Sequence, residues 1–157
     1  MRFLLILLVS MSCAHQNSRL SPDQVWLHEQ LLQINNPILL KIYSKISTIE
    51  VSDHSCDPGQ IACTKFIFPN TIYLTSASMK MRQSMRASTL LHEAAHHYYH
   101  YYSHSNCNNQ SGYNCDYKWE SSYGAEVLFY QGLIQLNPKN IEYAQEYELL
   151  RVNLQIK

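Results

Sequence analysis

The sequence lacks the features of most nucleotide-binding and nucleophile-based enzymes. Glycine is scarce, at 4 of 157 residues, and neither a Gly-rich phosphate loop nor a GxSxG elbow occurs. A CxxC metal motif is also absent, and no free cysteine beside a base is evident. The 12 basic and 12 acidic residues cancel without forming long blocks, so the chain has no electrostatic footprint for nucleic acid or an anionic membrane. Any partner must therefore be recognised by a specific site.

The first residues have the pattern of a bacterial export signal. Met1 and Arg2 precede the apolar run 3–9, which is too short to span a bilayer. Residues 12–14 could end an ordinary cleavage site, but Cys13 could equally be a lipidated first residue in a partial lipobox. We favour the lipid anchor and expect residues 1–14 to be the signal and residues 15–157 to form one monomeric domain. The protein is then exported, either anchored at the cell envelope or secreted.

The number of cysteines supports a lipid anchor at Cys13. Five cysteines leave one unpaired, and removing Cys13 leaves an even set in an exported chain. Three connectivities are possible for these four residues. The spacing favours two local disulfides, Cys56 with Cys63 and Cys107 with Cys115, each closing a small polar loop.

The apolar periodicity predicts an α+β domain. Ser21, with Pro22 and Asp23 after it, is a good start for a helix that runs to Ile34, and the break at 35–37 separates it from a second helix. Short β-rich runs then predict a small, mainly antiparallel sheet, with a turn at 69–70 between its last two strands. These runs are residues 48–51, 64–68 and 71–75. A central helix over the histidine-rich segment, a polar loop at 103–118 and a following helix complete the prediction.

The segment His92-Glu93-Ala94-Ala95-His96 carries the clearest chemistry. On a helix, residues four apart lie on the same face, so His92 and His96 can present two imidazoles to one metal ion, for which zinc is the natural candidate. Glu93 lies one step around the helix, where it can reach a metal-bound water and act as a general base.

Through this HEAAH stretch and the strand before it, the chain resembles the zincin metallopeptidases over roughly residues 64 to 136. The resemblance implies a zincin-like domain. In its active site the motif glutamate, Glu93, would activate a zinc-bound water to attack a peptide carbonyl. It also implies Zn²⁺ as cofactor and a peptide or cell-envelope amide as substrate.

A catalytic zinc normally has three protein ligands. Several residues could supply the third ligand. Glu126, on the predicted next helix, is the expected third ligand, as in a gluzincin. Asp116 is the main alternative, since a Cys107–Cys115 bridge could hold it near the metal in an aspzincin-like site. Glu120 also occupies a place that resembles the aspzincin aspartate. These alternatives leave the subclass open.

Further histidines continue the four-residue stripe. His92 and His100 would lie about 12 Å apart along a straight helix, too far for one zinc, so His100 is expected at the surface. His104 could bind only if the helix ended and folded back. A metzincin would have a glycine after the second histidine and a third histidine six residues beyond it, where this chain has Tyr102.

Tyr123, one turn before Glu126, is the tyrosine best placed to stabilise an oxyanion. The sequence thus predicts a zinc-dependent metallopeptidase. The alternative is a non-catalytic envelope lipoprotein, a binding module whose zinc site is structural or vestigial. A third possibility, metal sequestration by the histidine stripe, would require more than one metal ion per chain.

Overall fold

The computed structural model describes residues 20–100, 104–106, 114–116 and 118–154. The predicted export signal, Cys13 and Cys107 lie outside these residues, and so do the predicted lipid anchor and the Cys107–Cys115 bridge. Within the described residues, no helix is long and apolar enough to cross a bilayer.

Two helices open the described chain, as predicted. In α1 (Pro22–Ile34), the Ser21 hydroxyl accepts a hydrogen bond from the Gln24 amide while the Gln24 side chain accepts one from the Ser21 amide, a complete capping box. The helix ends where Asn35 adopts a left-handed conformation, with φ 54°. Asn36 then caps α2 (Pro37–Tyr43), whose first residue is proline.

The sheet is mixed, which corrects the prediction of a mainly antiparallel one. Its strands are β1 (Thr48–Val51), β2 (Ala62–Lys65) and β3 (Phe68–Leu74), in the order β1-β3-β2. β1 pairs with β3 in parallel, and β2 pairs with β3 antiparallel. The physical reason is that segment 52–61 carries the chain across to the far side of β3, so β3 lies between strands that are neighbours in sequence. β2 is therefore an edge strand.

The turn between β2 and β3 also differs from the prediction. It falls at Phe66 and Ile67, whose side chains are exposed, whereas Pro69 and Asn70 lie within β3. Asn70 has a positive φ of 74°, and the pairing register shifts after Thr64, so this part of the ladder is irregular. The apolar run at 66–68 suggested a strand, but the side chains of this run are exposed.

The predicted disulfide between Cys56 and Cys63 is confirmed, with a Cα–Cα distance of 5.5 Å. It ties the loop before β2 to the strand itself. A short antiparallel pair, β4 (Ser105–Asn106) and β5 (Asn114–Cys115), follows the central helix.

The central helix α3 (Gln83–Tyr99) packs against α1, α2, β2, β3 and α4 (Ser122–Leu136), and α4 packs in turn against α5 (Ile141–Asn153). The apolar face of α3 thus lies at the centre of one core. The largest fully buried side chains are Leu27, Leu31, Leu39, Ile42, Ile72, Leu90, Leu91, Val127, Phe129, Tyr130 and Leu133.

An ion pair between α1 and α3 supports a first prediction. Arg86 donates from Nε and Nη2 to the two oxygens of Asp23, at 2.8 and 2.9 Å, and both side chains are largely buried. Asp23→Asn should lower the free energy of unfolding by about 2 kcal/mol in urea denaturation, because it leaves a buried cation without its counter-charge. Glu148→Gln is the control, since Glu148 pairs with Arg151 in solvent at 3.4 Å, and should change stability by less than about 0.5 kcal/mol. Equal effects would contradict the assignment.

Candidate metal centre

The helix α3 divides its side chains between the core and a cavity. Leu90, Leu91, Ala94 and Ala95 are fully buried against the surrounding helices and sheet. The intervening residues His92, Glu93 and His96 line the cavity instead. His92 and His96 lie one turn apart, with ring centroids separated by 5.0 Å, as the sequence spacing predicts.

His104 brings a third imidazole to this pair. The helix ends because His100 adopts a left-handed conformation, with φ 54° and ψ 37°, which turns the backbone away from the helix axis. His104 Nε2 lies 3.0 Å from His92 Nε2, and its ring centroid lies 4.8 Å from that of His96. The condition under which the sequence allowed His104 to bind, a helix that ends and folds back, is thus met. His92, His96 and His104 form a buried cluster that could hold a metal ion.

Each of these histidines is oriented through its Nδ1 atom. His92 Nδ1 lies 2.6 Å from Glu126 Oε1, His104 Nδ1 lies 3.0 Å from Asp116 Oδ1, and His96 Nδ1 lies 3.1 Å from Ser122 Oγ. When Nδ1–H donates to an oxygen, the tautomer is fixed and Nε2 is the nitrogen that coordinates a metal. The same pattern on three rings is what a preorganised metal site requires.

Glu126, the expected third ligand, lines the cavity but is not part of the three-histidine group. Its Oε1 accepts from His92, and its Oε2 accepts from the Ser88 hydroxyl, so both carboxylate oxygens are engaged. Burial alone would lower the pKa of His92, but the Glu126 charge and hydrogen bond outweigh it and raise that pKa. In this geometry Glu126 orients the His92 imidazole, and the third imidazole of the cluster comes from His104.

Asp116, the alternative ligand, has a similar supporting position. Its Oδ1 accepts from His104, and its Oδ2 accepts from the Tyr123 amide at the start of α4. Burial would raise the pKa of Asp116, but these hydrogen bonds hold it below its ordinary value. Glu120 is exposed and does not line the cavity. The Asp116 carboxylate thus contacts both the third imidazole and the first turn of α4.

The start of α4 is tightly constrained. Ser121 caps the helix by accepting a hydrogen bond from the Gly124 amide at 3.0 Å. A Cβ at Gly124 would lie 2.1 Å from the carbonyl oxygen of Trp119, so only glycine fits. This packing places Ser122 and Tyr123 beside the histidine cluster. The role of Ser122 was not expected, and its sequence context resembles that of an ordinary helix-capping serine.

The histidines open onto a cavity of about 430 Å³. Ile61 and residues 62–64 of β2 form one wall, and the polar face of α3 forms another. Glu93 lies in this cavity and is almost completely buried. Burial raises the pKa of its carboxyl group, although the nearby histidines and the Thr64 amide oppose the shift.

Tyr123 lies against the cluster. Its ring centroid is 4.8 Å from that of His92 and 4.9 Å from that of His104, and the residue lines the cavity. Burial, followed by the charges of Glu126 and Asp116, raises the pKa of the Tyr123 phenol. The phenol therefore stays protonated near neutral pH and can donate a hydrogen bond.

Two other histidines of this segment, His97 and His100, have structural positions outside the cluster. His97 is buried and its Nε2 contacts the Thr64 hydroxyl, which joins α3 to β2. His100 forms the left-handed end of the helix. Within the described part of the chain, neither belongs to a three-residue metal-binding group, whereas a sequestering stripe would need several such groups.

Comparison with family models, with curated proteins and with solved structures finds no match to this chain. Function must therefore be inferred from the chemistry of the site.

A second prediction separates ligands from supporting residues. His104→Ala should reduce zinc affinity more than about 100-fold, because it removes a ligand, whereas Glu126→Gln should reduce it only about 10- to 100-fold and keep one zinc per chain. Competition with a chromophoric chelator measures both. Glu120→Gln, on the exposed side, should leave affinity unchanged. If Glu126→Gln abolishes stoichiometric binding while His104→Ala does not, the gluzincin-like ligand set is correct instead.

Proposed function

We propose that this protein is a zinc-dependent hydrolase, and specifically a metallopeptidase that cleaves a peptide or a related amide. One observation carries the proposal: three imidazoles, each held through Nδ1, converge beside a buried glutamate that is not part of the ligand cluster. A structural site has four protein ligands, whereas a catalytic site has three and keeps one position open. A glutamate kept next to the ligands suits the catalytic arrangement.

The donor set fits zinc. Tetrahedral coordination at the usual Zn–N distance puts neighbouring nitrogens about 3.3 Å apart. His92 Nε2 and His104 Nε2 are 3.0 Å apart, and the donor atoms of all three histidines lie within 4.8 Å of one another. Carboxylates behind two of the three imidazoles increase their basicity, as is common at zinc sites. When bound, zinc supplies Lewis acidity, which polarises a substrate carbonyl and lowers the pKa of water.

Glu93 is the proposed general base. Its carboxylate lies in the cavity next to the imidazoles, and Thr64 also lines this cavity. Burial raises its pKa, which makes its carboxylate a better proton acceptor than an exposed glutamate. Glu93 accepts a proton from the attacking water and then delivers it to the leaving amine.

The substrate backbone is proposed to lie along β2. This strand pairs with β3 on one side, and residues 62–64 face the cavity. An extended peptide can add to a sheet edge through main-chain hydrogen bonds, which would place its scissile carbonyl over the histidines. The Cys56–Cys63 disulfide holds this edge in place.

The disulfide also supports the proposed location. Such bonds persist in oxidising compartments, so the described Cys56–Cys63 bridge agrees with export to the cell envelope. We propose an exported enzyme, with Cys13 as a lipid anchor.

A third prediction tests the general base. Glu93→Gln should lower kcat at least about 100-fold on a pool of quenched fluorescent peptides, because the proton acceptor is lost, yet still bind one zinc per chain. Glu120→Gln, an exposed glutamate, is the matched control and should retain activity. If the zinc-loaded wild-type protein cleaves none of the pool, the binding module is the better account.

A fourth prediction concerns Tyr123, the proposed oxyanion donor. Tyr123→Phe removes only the hydroxyl and should lower kcat about tenfold or more with little change in KM, since the hydrogen bond strengthens as charge develops on the carbonyl oxygen. Zinc affinity should stay the same because the ring still packs on His92 and His104. A change confined to KM would assign Tyr123 to substrate binding alone.

A further inference from the structure

The cavity extends well beyond the metal centre. Met85, which lines its far end, precedes His92 by seven residues, so it lies about 10 Å away along α3. Met81 and Leu150 line the same region. Methionine side chains adapt to the shape of an unbranched aliphatic chain, and these walls therefore suit a long substrate side chain.

A buried hydroxyl lies in this region of the cavity. Tyr130 is fully buried and lines the cavity, one helical turn beyond Glu126. Although Ser84 lies nearby, the Tyr130 hydroxyl has no hydrogen-bond partner of ordinary geometry among the described residues. Burying an unpaired hydroxyl is unfavourable, so a ligand group that bonds with it would relieve that penalty.

The same region carries negative charge. Glu146 on α5 lines the cavity and is largely buried, with its Oε1 2.6 Å from Arg82 Nη2. Arg82 also pairs with Glu142, at 2.9 Å, so one cation serves two carboxylates and one negative charge remains. Among the described residues that line the cavity there is no lysine or arginine. The far end is thus apolar along its walls and acidic at its limit.

We infer that this end of the cavity is a side-chain subsite for lysine, or another side chain with an aliphatic stem and a terminal ammonium group. The stem lies between Met81, Met85 and Leu150. The ammonium group donates to the Glu146 carboxylate and to the Tyr130 hydroxyl oxygen. This assignment rests on the proposed peptidase function, of which it gives the substrate class.

The test measures binding apart from hydrolysis. Fluorescein-labelled peptides, in which one lysine is moved through an otherwise neutral sequence, are compared with norleucine analogues on the zinc-loaded Glu93→Gln protein by fluorescence anisotropy. Norleucine keeps the aliphatic stem and lacks the charge. At one position, lysine should bind about tenfold more tightly than norleucine, as expected for a charge-assisted hydrogen bond in a mostly buried site.

Matched variants locate the effect. Glu146→Gln in the same protein should reduce the lysine preference to less than about twofold, and Tyr130→Phe should reduce it partly. Glu142→Gln loses an ion pair with the same Arg82 but lies on the exposed side, outside the cavity lining, so it should keep the preference. An equal loss in Glu146→Gln and Glu142→Gln, or a lack of lysine preference at every position, would overturn the subsite.

The two proposals fail in different ways. Hydrolysis by the wild-type protein without any lysine preference would overturn the subsite and leave the peptidase in place. Lysine preference in binding, with no cleavage of any peptide by the wild-type protein, would overturn the peptidase and support lysine recognition.

Discussion

The antiparallel packing of α3 against α4 is the constraint on which the site depends. Polar contacts cross this interface in register: Ser88 and His92 meet Glu126, and His96 meets Ser122 one turn further along. They lie beside an apolar seam that includes Leu91, Ala95 and Phe129. Because these polar contacts are buried, a misaligned interface between α3 and α4 would be unfavourable. A shift of one turn would leave the Glu126 carboxylate without either partner. The register that buries the core thus also fixes the tautomers of two histidines of the cluster that could hold a metal ion.

Sequence alone predicted the parts of the site that a single helix determines. The four-residue spacing put His92 and His96 on one face with Glu93 beside them, and the structure places all three in the cavity. The spacing of residues along the sequence could not show whether Glu126 and Asp116 coordinate a metal ion or orient a histidine. Both residues would lie near the cluster in either role. The difference depends on where the chain returns after α3. That return begins at His100, a left-handed residue where no glycine marks the end of the helix.

In the rest of the fold, too, the sequence predicted what local signals determine but not what long-range packing determines. The capping box at Ser21 and the break at residues 35–37 are local signals, and both predicted helices form. Strand order depends on long-range packing, and the chain crosses to give β1-β3-β2 in place of a simple meander. This difference affects the candidate site. In a meander β2 would be the central strand, paired on both sides, whereas in the observed order it is an edge that faces the cavity.

Asp116 connects these parts of the molecule. Its side chain joins His104 to the first turn of α4, and its backbone amide donates to the carbonyl of Asn153 at the end of α5. Asp116 thus links the third imidazole to both α4 and α5. A metal ion that binds the assembled cluster in preference to the unfolded chain would stabilise this arrangement as a whole. Such an ion would thus also favour the placement of α5, whose Glu146 and Leu150 line the far end of the cavity.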